Sequence, residues 1–243
     1  MDLKEMERGV DPESHWYYQS KKIPLIGFVK KIYSELRIPL TLIDVGSGSG
    51  FFMYELHEAI PEMISKIWLV DIGYGDKEIL AMKNQHIEKV RSLPDKIENA
   101  VIVMMDVLEH LDDDHGMLKA IREKSEGVNY FFITVPAFMG LWSGHDVYLG
   151  HHRRYTLKTL RQLLDHSSFT TLHSYYFYGF IFPAVWLVRK LKNENHELSD
   201  SDMKPASPLV NGILKLICSI ELPFRKLNQL GGVTCVGEGI IGN

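Results

Sequence analysis

The feature that most constrains the fold is an aliphatic run, Ile38–Val45 (IPLTLIDV), that stops at the glycine loop GSGSG, Gly46–Gly50. Such a run reads as a strand buried on both faces, and glycines at alternate positions read as a turn whose backbone is open to close approach. The following FFMYELHEAI has apolar residues at helical spacing. Two more buried strands are predicted, KIWLVDIG ending at Asp71 and AVIVMMDV ending at Asp106, with IEKVRSL as a weaker strand between them. An acid-rich helix start at Asp112–Asp114, a strand NYFFITVP, a helix LKTLRQLL capped by Thr156, an aromatic strand TTLHSYYFYG and a final strand GGVTCVGEGII complete the alternation. Buried strands alternating with amphipathic helices predict an α/β fold with a largely parallel sheet covered on both faces.

Charge and composition exclude several classes. With 27 Lys+Arg against 31 Asp+Glu the net charge is −4, the wrong sign for holding a phosphate backbone, so no nucleic-acid partner is expected. Two cysteines, Cys218 and Cys235, form no Cys-x-x-Cys pair, which fits a reducing compartment. The N-terminus is polar and acidic, so a cytoplasmic location is expected. The longest apolar stretch, Tyr175–Val188, contains Gly179 and Pro183 and is too short and broken to span a bilayer.

In an open α/β sheet, ligands bind at the carboxyl ends of the strands, and a glycine loop after the first strand admits an adenosine-type cofactor. The register of the loop separates the possibilities. G-x-G-x-x-G would need glycine at Phe51 or Met53, so a nicotinamide dinucleotide is disfavoured, and no phosphate-loop motif is present. Asp71, at the end of the second strand, is placed to accept both ribose hydroxyls.

Taken together, LIDVGSGSG, VDIG and MMDVLEHLDD resemble the successive motifs of class I S-adenosylmethionine-dependent methyltransferases, in the small-molecule branch that includes the quinone-biosynthesis O-methyltransferases. TVPAFMGLWSGHDVYLGHHRRYTLKTLRQLL and the opening HWYYQSKK are similar to a bacterial subgroup of that branch whose substrate is undefined, so the resemblance covers nearly the whole chain. It implies a Rossmann-like, mostly parallel seven-stranded sheet with a reversed last strand, and S-adenosylmethionine as cofactor. It places Asp44, Gly46, Ser47, Gly48 and Gly50 around the methionine end, Asp71 on the ribose, and Ile72, Asp106 and Val107 beside the cofactor. One departure stands out. The family often has an acidic residue after the third strand for the adenine amino group, where this chain has Arg91-Ser92-Leu93, leaving adenine to backbone groups and apolar packing. A single domain is expected: an N-terminal helical segment (1–36), a cofactor-binding core (37–178), a helical cap around the polar linker NENHELSDSDMKPASP (179–231) and the final strand (232–243).

Methyl transfer from a sulfonium is an in-line displacement that proximity and exclusion of water can largely accelerate. A general base is needed when the acceptor is a hydroxyl or a protonated amine, and histidine suits that task. His110, directly after a strand end, is read either as such a base or as part of a helix-capping pair with Glu109. In Trp142-Ser143-Gly144-His145-Asp146, His145 reads as a base with Asp146 or a neighbouring carboxylate holding its tautomer, or as part of a loop that only shapes the pocket. His151, His152, Arg153, Arg154 and Tyr155 form the densest basic-aromatic cluster, where an arginine fork suits an anionic group on the acceptor, unless Arg154 pairs with Asp112–Asp114. No metal is expected, since His145, Asp146 and His151 lack a recognised ligand spacing. His15, Trp16, Tyr17 and Tyr18 form either a lid over the cofactor or a hydrophobic staple.

The resulting expectation is methyl transfer to a small-molecule or amphipathic acceptor, lipid- or glycan-linked ones included. Trp142, Asp146, His151, Arg153, Arg154 and Tyr155 are its expected contacts, and Phe180, Phe182 and Trp186 of the cap cover its apolar body. Peripheral membrane contact follows if the acceptor is a lipid. The alternative is a non-catalytic module that binds S-adenosylmethionine or S-adenosylhomocysteine.

Overall fold

A computed structural model describes residues 2–82, 84–192, 203 and 205–242 of the chain. Seven strands form one sheet: β1 (Leu40–Val45), β2 (Ile64–Val70), β3 (Ile87–Val90), β4 (Ala100–Met105), β5 (Asn129–Pro136), β6 (Phe169–Phe177) and β7 (Thr234–Ile241). Their order is β3-β2-β1-β4-β5-β7-β6. Only β7 is reversed, pairing antiparallel with both β5 and β6, while the other pairings are parallel. A separate two-residue ladder joins Ile97–Glu98 to Ser125–Glu126.

Burial on both sides explains why the strands read as continuous apolar runs. Along β4, Val101, Val103 and Met105 pack with Leu25, Phe28 and Val29 of α2 (Trp16–Leu36) and with Met53 and Leu56 of α3 (Phe51–Ala59). The alternate residues Ala100, Ile102 and Met104 face Leu118 and Ile121 of α5 (Asp114–Lys124) and Leu157, Leu160 and Leu164 of α7 (Leu157–His166). The period of two in a strand sends neighbours to opposite faces. Thr156 caps α7 as its position suggests, accepting the Thr159 N–H at 3.2 Å.

Two features depart from the sequence expectation. Helix α2 takes in Trp16, Tyr17 and Tyr18, read from the sequence as a lid or staple, and runs unbroken through Pro24. A proline there removes the bond to the carbonyl four residues back, and burial of Tyr18, Leu25, Phe28, Val29 and Ile32 along the same helix outweighs that loss. Three short helices, α1 (Asp2–Met6), α4 (Asp76–Ala81) and α6 (Gly144–Leu149), carry too few periodic residues to register in the sequence. In the cap, α8 (Phe182–Lys192) and α9 (Pro208–Glu221) are present, and the polar linker between them lies mostly outside the described residues. No helix among the described residues is long and apolar enough to cross a membrane.

Helix α2 is fixed to the sheet by a buried ion pair. Lys21 Nζ meets Asp106 at the carboxyl end of β4, their side chains 2% and 5% exposed. Removing one partner strands the other charge in a buried site, so Lys21→Met is expected to destabilise the protein by about 3–5 kcal/mol. Urea unfolding checks this, and a loss below about 1 kcal/mol would show that the pair does not hold the helix in place.

Candidate functional site

The glycine loop folds back over the end of β2. The N–H groups of Gly46 and Ser47 donate to the Val70 carbonyl at 2.8 and 3.2 Å. Gly46 has φ +70°, and a methyl carbon on it would lie 2.7 Å from Val107 Cγ2; Gly50 has φ +82°, and a methyl carbon there would lie 2.8 Å from Leu69 Cδ1. Glycine is therefore required at both by backbone conformation and by space. Asp71 accepts the Gly48 N–H at 2.9 Å and the Gly73 N–H at 2.8 Å, which sets a carboxylate against the loop between β1 and β2. Ser47, Gly48, Gly50 and Asp71 thus come together, Val107 packs on Gly46, and Asp44 is buried at the end of β1. Ile72 is 90% exposed just beyond β2.

Sequence reasoning missed Tyr74. Its hydroxyl donates to the Gly48 carbonyl at 2.9 Å and lies 2.8 Å from Ser47 Oγ, bracing the loop from below. Burial pushes this phenol well above its ordinary range, so it stays a donor. Arg91, the departure from the family pattern, donates from Nε to the Tyr74 carbonyl at 2.6 Å and pairs with Asp76 at 2.5 Å. Its role is to hold the segment that carries Tyr74.

Asp106 follows β4 in the left-handed region, φ +56°. Tyr17 Oη donates to it at 2.9 Å and Thr134 Oγ1 at 2.9 Å, beside Lys21. Burial pushes the carboxyl up, but the Lys21 charge and the hydrogen bonds from Lys21, Tyr17 and Thr134 more than reverse that and hold it ionised. Phe138 and Tyr178, after β5 and β6, also have positive φ, +56° and +64°. Non-glycine residues in this conformation are uncommon and concentrate where a site is held in a particular shape.

Between these strand ends and α8 lies a cavity of about 360 Å³. Ile181, Ala184, Val185 and Val188 line it from the cap, and Trp16, Tyr17 and Tyr178 wall one side. Asp106, Glu109, His145, His151, Arg154, Arg189 and Thr234 supply its polar lining. The N-terminal aromatic run is therefore built into the fold: Tyr17 stacks on Tyr178 with ring centroids 5.5 Å apart, and His15 caps α2.

Asp146 is the second fixed carboxylate. It accepts His151 Nδ1 at 2.8 Å, Arg154 Nε at 2.7 Å and the Ser143 N–H at 2.9 Å, and Arg189 of α8 lies 4.0 Å away. Burial raises its pKa, yet the His151 hydrogen bond and the Arg154 charge hold it far below the usual carboxylate range. His145 Nε2 lies 3.6 Å from Glu5 Oε1, and Tyr18 Oη donates to Glu5 Oε2 at 3.0 Å. Burial, with a contribution from the Asp106 charge and against the Tyr18 hydrogen bond, pushes the Glu5 carboxyl up to about 7. Glu109 is fully buried, and burial raises its carboxyl well above the ordinary value, the Asp106 charge adding to it.

Several predicted contacts lie elsewhere. His110 does not line the cavity; its ring stands edge-on to His151 with centroids 4.6 Å apart, and burial followed by the His151 charge lowers its pKa to about 4. Arg153 pairs on the surface with Asp114 at 3.0 Å and donates to the Asp112 carbonyl at 2.8 Å, taking the acidic-helix role considered for Arg154. Tyr155 is buried against α5, its hydroxyl donating to Asp114 at 2.7 Å. Trp142 is half-buried outside the cavity lining. In the cap, Trp186 is 43% exposed, Phe180 is exposed too, and Phe182 packs on Phe138, so the opposite face of α8 roofs the cavity. Arg189, which reaches the Leu141 carbonyl and Asp146, is a cavity residue that no motif signalled.

A family profile described as a methyltransferase domain matches residues 18–174. No curated protein sequence matches the chain significantly. Among solved structures, the chain is similar to one from the complex between the Haloferax volcanii Trm112 methyltransferase activator and a methyltransferase (13% identity, 100% of this chain and 96% of that chain, TM-score 0.56). It is similar also to SAM-dependent methyltransferases from Archaeoglobus fulgidus (18% identity, 98% of each chain, TM-score 0.53) and Mesorhizobium loti (12% identity, 95% and 100%, TM-score 0.51).

Gly46→Ala is expected to destabilise the protein by about 1–3 kcal/mol, combining positive φ with overpacking against Val107. The double variant Gly46→Ala/Val107→Ala should regain the steric part but not the backbone part, as denaturant titration of both would show. Glu5 gives a pH signature. Its folded pKa, about 7, exceeds the ordinary 4.5, so the folded state holds the proton more tightly and stability falls as pH rises between those values. Replacement by Gln should flatten that slope, worth about 3 kcal/mol across the interval; an unchanged slope would assign it to other groups.

Proposed function

Because this chain belongs to the methyltransferase-domain family, we propose that it transfers a methyl group to a small amphipathic acceptor held in the cavity beneath α8. The enzyme is an S-adenosylmethionine-dependent methyltransferase with a Rossmann-like fold. S-adenosylmethionine supplies the methyl group on a sulfonium centre. The residues present fit such a group. Gly46 and Gly50 let the loop pack tightly on Val107 and Leu69 with its backbone turned at positive φ, and Asp71, already against the Gly48 amide, would accept the ribose hydroxyls. Asp44, Ser47, Ile72 and Val107 complete the assigned contacts, and Asp106, between loop and cavity, orients Tyr17 at the boundary.

The observation that carries the acceptor assignment is the split lining of the cavity: an aliphatic roof from α8 above a floor of Glu109, His145, His151 and Arg154. An apolar body under Ile181, Val185 and Val188 with a polar reacting end on that floor matches this division. His145 is the assigned base because it lines the cavity with a carboxyl partner, Glu5, 3.6 Å away. Arg154 is the assigned contact for an anionic group, although Asp146 already holds its Nε. The remaining work is positioning and exclusion of water, which α8 and the Tyr17–Tyr178 stack provide.

Mass spectrometry of small molecules and lipids that co-purify with the protein, followed by a labelled methyl-transfer assay on them, tests the acceptor class. Turnover confined to short polar compounds would overturn it. For the cofactor, Asp71→Ala is expected to weaken S-adenosylmethionine binding by about 1.5–3 kcal/mol, the range for a hydrogen bond to a charged group. Calorimetry showing undiminished affinity would remove Asp71 from the ribose.

A further inference from the structure

We propose that Glu109, His110 and His151 bind one divalent first-row transition-metal ion at the floor of the cavity. His110 and Glu109 come from the turn after β4, and His151 from the loop after α6. One ligand atom from each lies within 4.8 Å of the others. Metal–ligand distances of about 2.0–2.2 Å place neighbouring ligand atoms about 3–3.5 Å apart, so the three groups need to close by only about 1–2 Å.

The second observation is independent of spacing. Both Glu109 carboxyl oxygens, His110 Nε2 and His151 Nε2 are buried with no hydrogen-bond partner among the described residues. Glu109 is 0% exposed. Buried polar side-chain atoms without partners are few in folded proteins and costly, and here four of them occur in one cluster. One cation satisfies the cluster.

The orientation of His151 fits the same reading. Its Nδ1 lies 2.8 Å from Asp146 Oδ1, and an ionised carboxylate only accepts, so Nδ1 carries the proton. In the neutral ring Nε2 is then the lone-pair donor, and it lies 4.0 Å from Glu109 Oε1. A carboxylate holding the far nitrogen of a histidine is the usual outer-shell support of a metal ligand. Two imidazoles and one carboxylate suit zinc, manganese, iron or cobalt better than magnesium or calcium, which prefer all-oxygen sites. Glu109 and His151 also line the cavity, so three protein ligands leave the ion's remaining positions open to it. If the proposed transferase reading holds, those positions take an oxygen of the acceptor; metal binding itself does not rest on that reading.

The test uses the full chain stripped with a chelator and titrated separately with Zn²⁺, Mn²⁺ and Co²⁺ by equilibrium dialysis with elemental analysis. One ion per chain is expected. Glu109→Ala and His151→Ala should each weaken it more than the about 10–100-fold that loss of an outer-shell partner causes, and Asp146→Asn should fall within that range. His152→Ala, the exposed neighbour paired with Asp112, should leave affinity unchanged. Circular dichroism establishes that each variant is folded. The wild-type Co²⁺ form gives a readout free of any variant: visible bands of nitrogen and oxygen ligation, shifted by azide at an open position. Less than one ion per chain with all three metals, or undiminished binding in the Glu109 and His151 variants, would overturn the site. Bands insensitive to azide would show that its coordination is closed.

Discussion

Much of the arrangement depends on one carboxylate taken out of water. Asp106 ends the central strand β4 in a left-handed conformation and is held by Lys21 and Tyr17 from α2 and by Thr134 from β5. A lone charge there would be prohibitively costly, so the ammonium of Lys21 has to arrive with it. That requirement brings the first turns of α2 to the carboxyl edge of the sheet. Tyr17 then stacks on Tyr178, and the N-terminal segment becomes a wall between glycine loop and cavity.

Four buried carboxyl groups near this edge are differentiated by their neighbours. Asp106 and Asp146 each have a cation beside them, Lys21 and Arg154, and are held ionised despite burial. Burial raises Glu5 and Glu109, which have no comparable cation contact among the described residues. Ionised carboxylates fix geometry by accepting hydrogen bonds, as Asp146 does for His151, Arg154 and the Ser143 amide. Carboxyls of raised pKa are the ones whose protonation a ligand or a pH change can alter.

The cap adds a different constraint. Helix α8 turns Ala184, Val185 and Val188 toward the cavity, beside Ile181 just before it, and leaves Trp186 and Leu191 exposed, while α9 exposes Leu209, Ile213, Leu216 and Ile220 along one stripe. Glu221 ties the cap to the sheet by accepting the Gly179 and Phe180 N–H groups at 2.8 and 3.3 Å. An apolar sequence in such helices therefore divides between a pocket roof and outward surface, a division that composition alone does not contain.

Local chemistry determined a good deal. The strand cores were legible because residues buried on both faces of a parallel sheet must be apolar without alternation. The glycine loop was legible because positive φ and close packing at Gly46 and Gly50 admit little else, and Thr156 because a helix start needs an acceptor. What the tertiary structure decided are contacts between residues far apart in the chain. Lys21 meets Asp106, Arg91 braces Tyr74, and Arg153 rather than Arg154 takes the acidic helix. The face of α8 that meets the cavity was equally hidden, since a helix apolar on several sides carries no phase. Glu109, His110 and His151 meet only because the ends of β4 and β5 are neighbours in the sheet, and the separation of 41 residues between His110 and His151 carries no local periodicity to mark it.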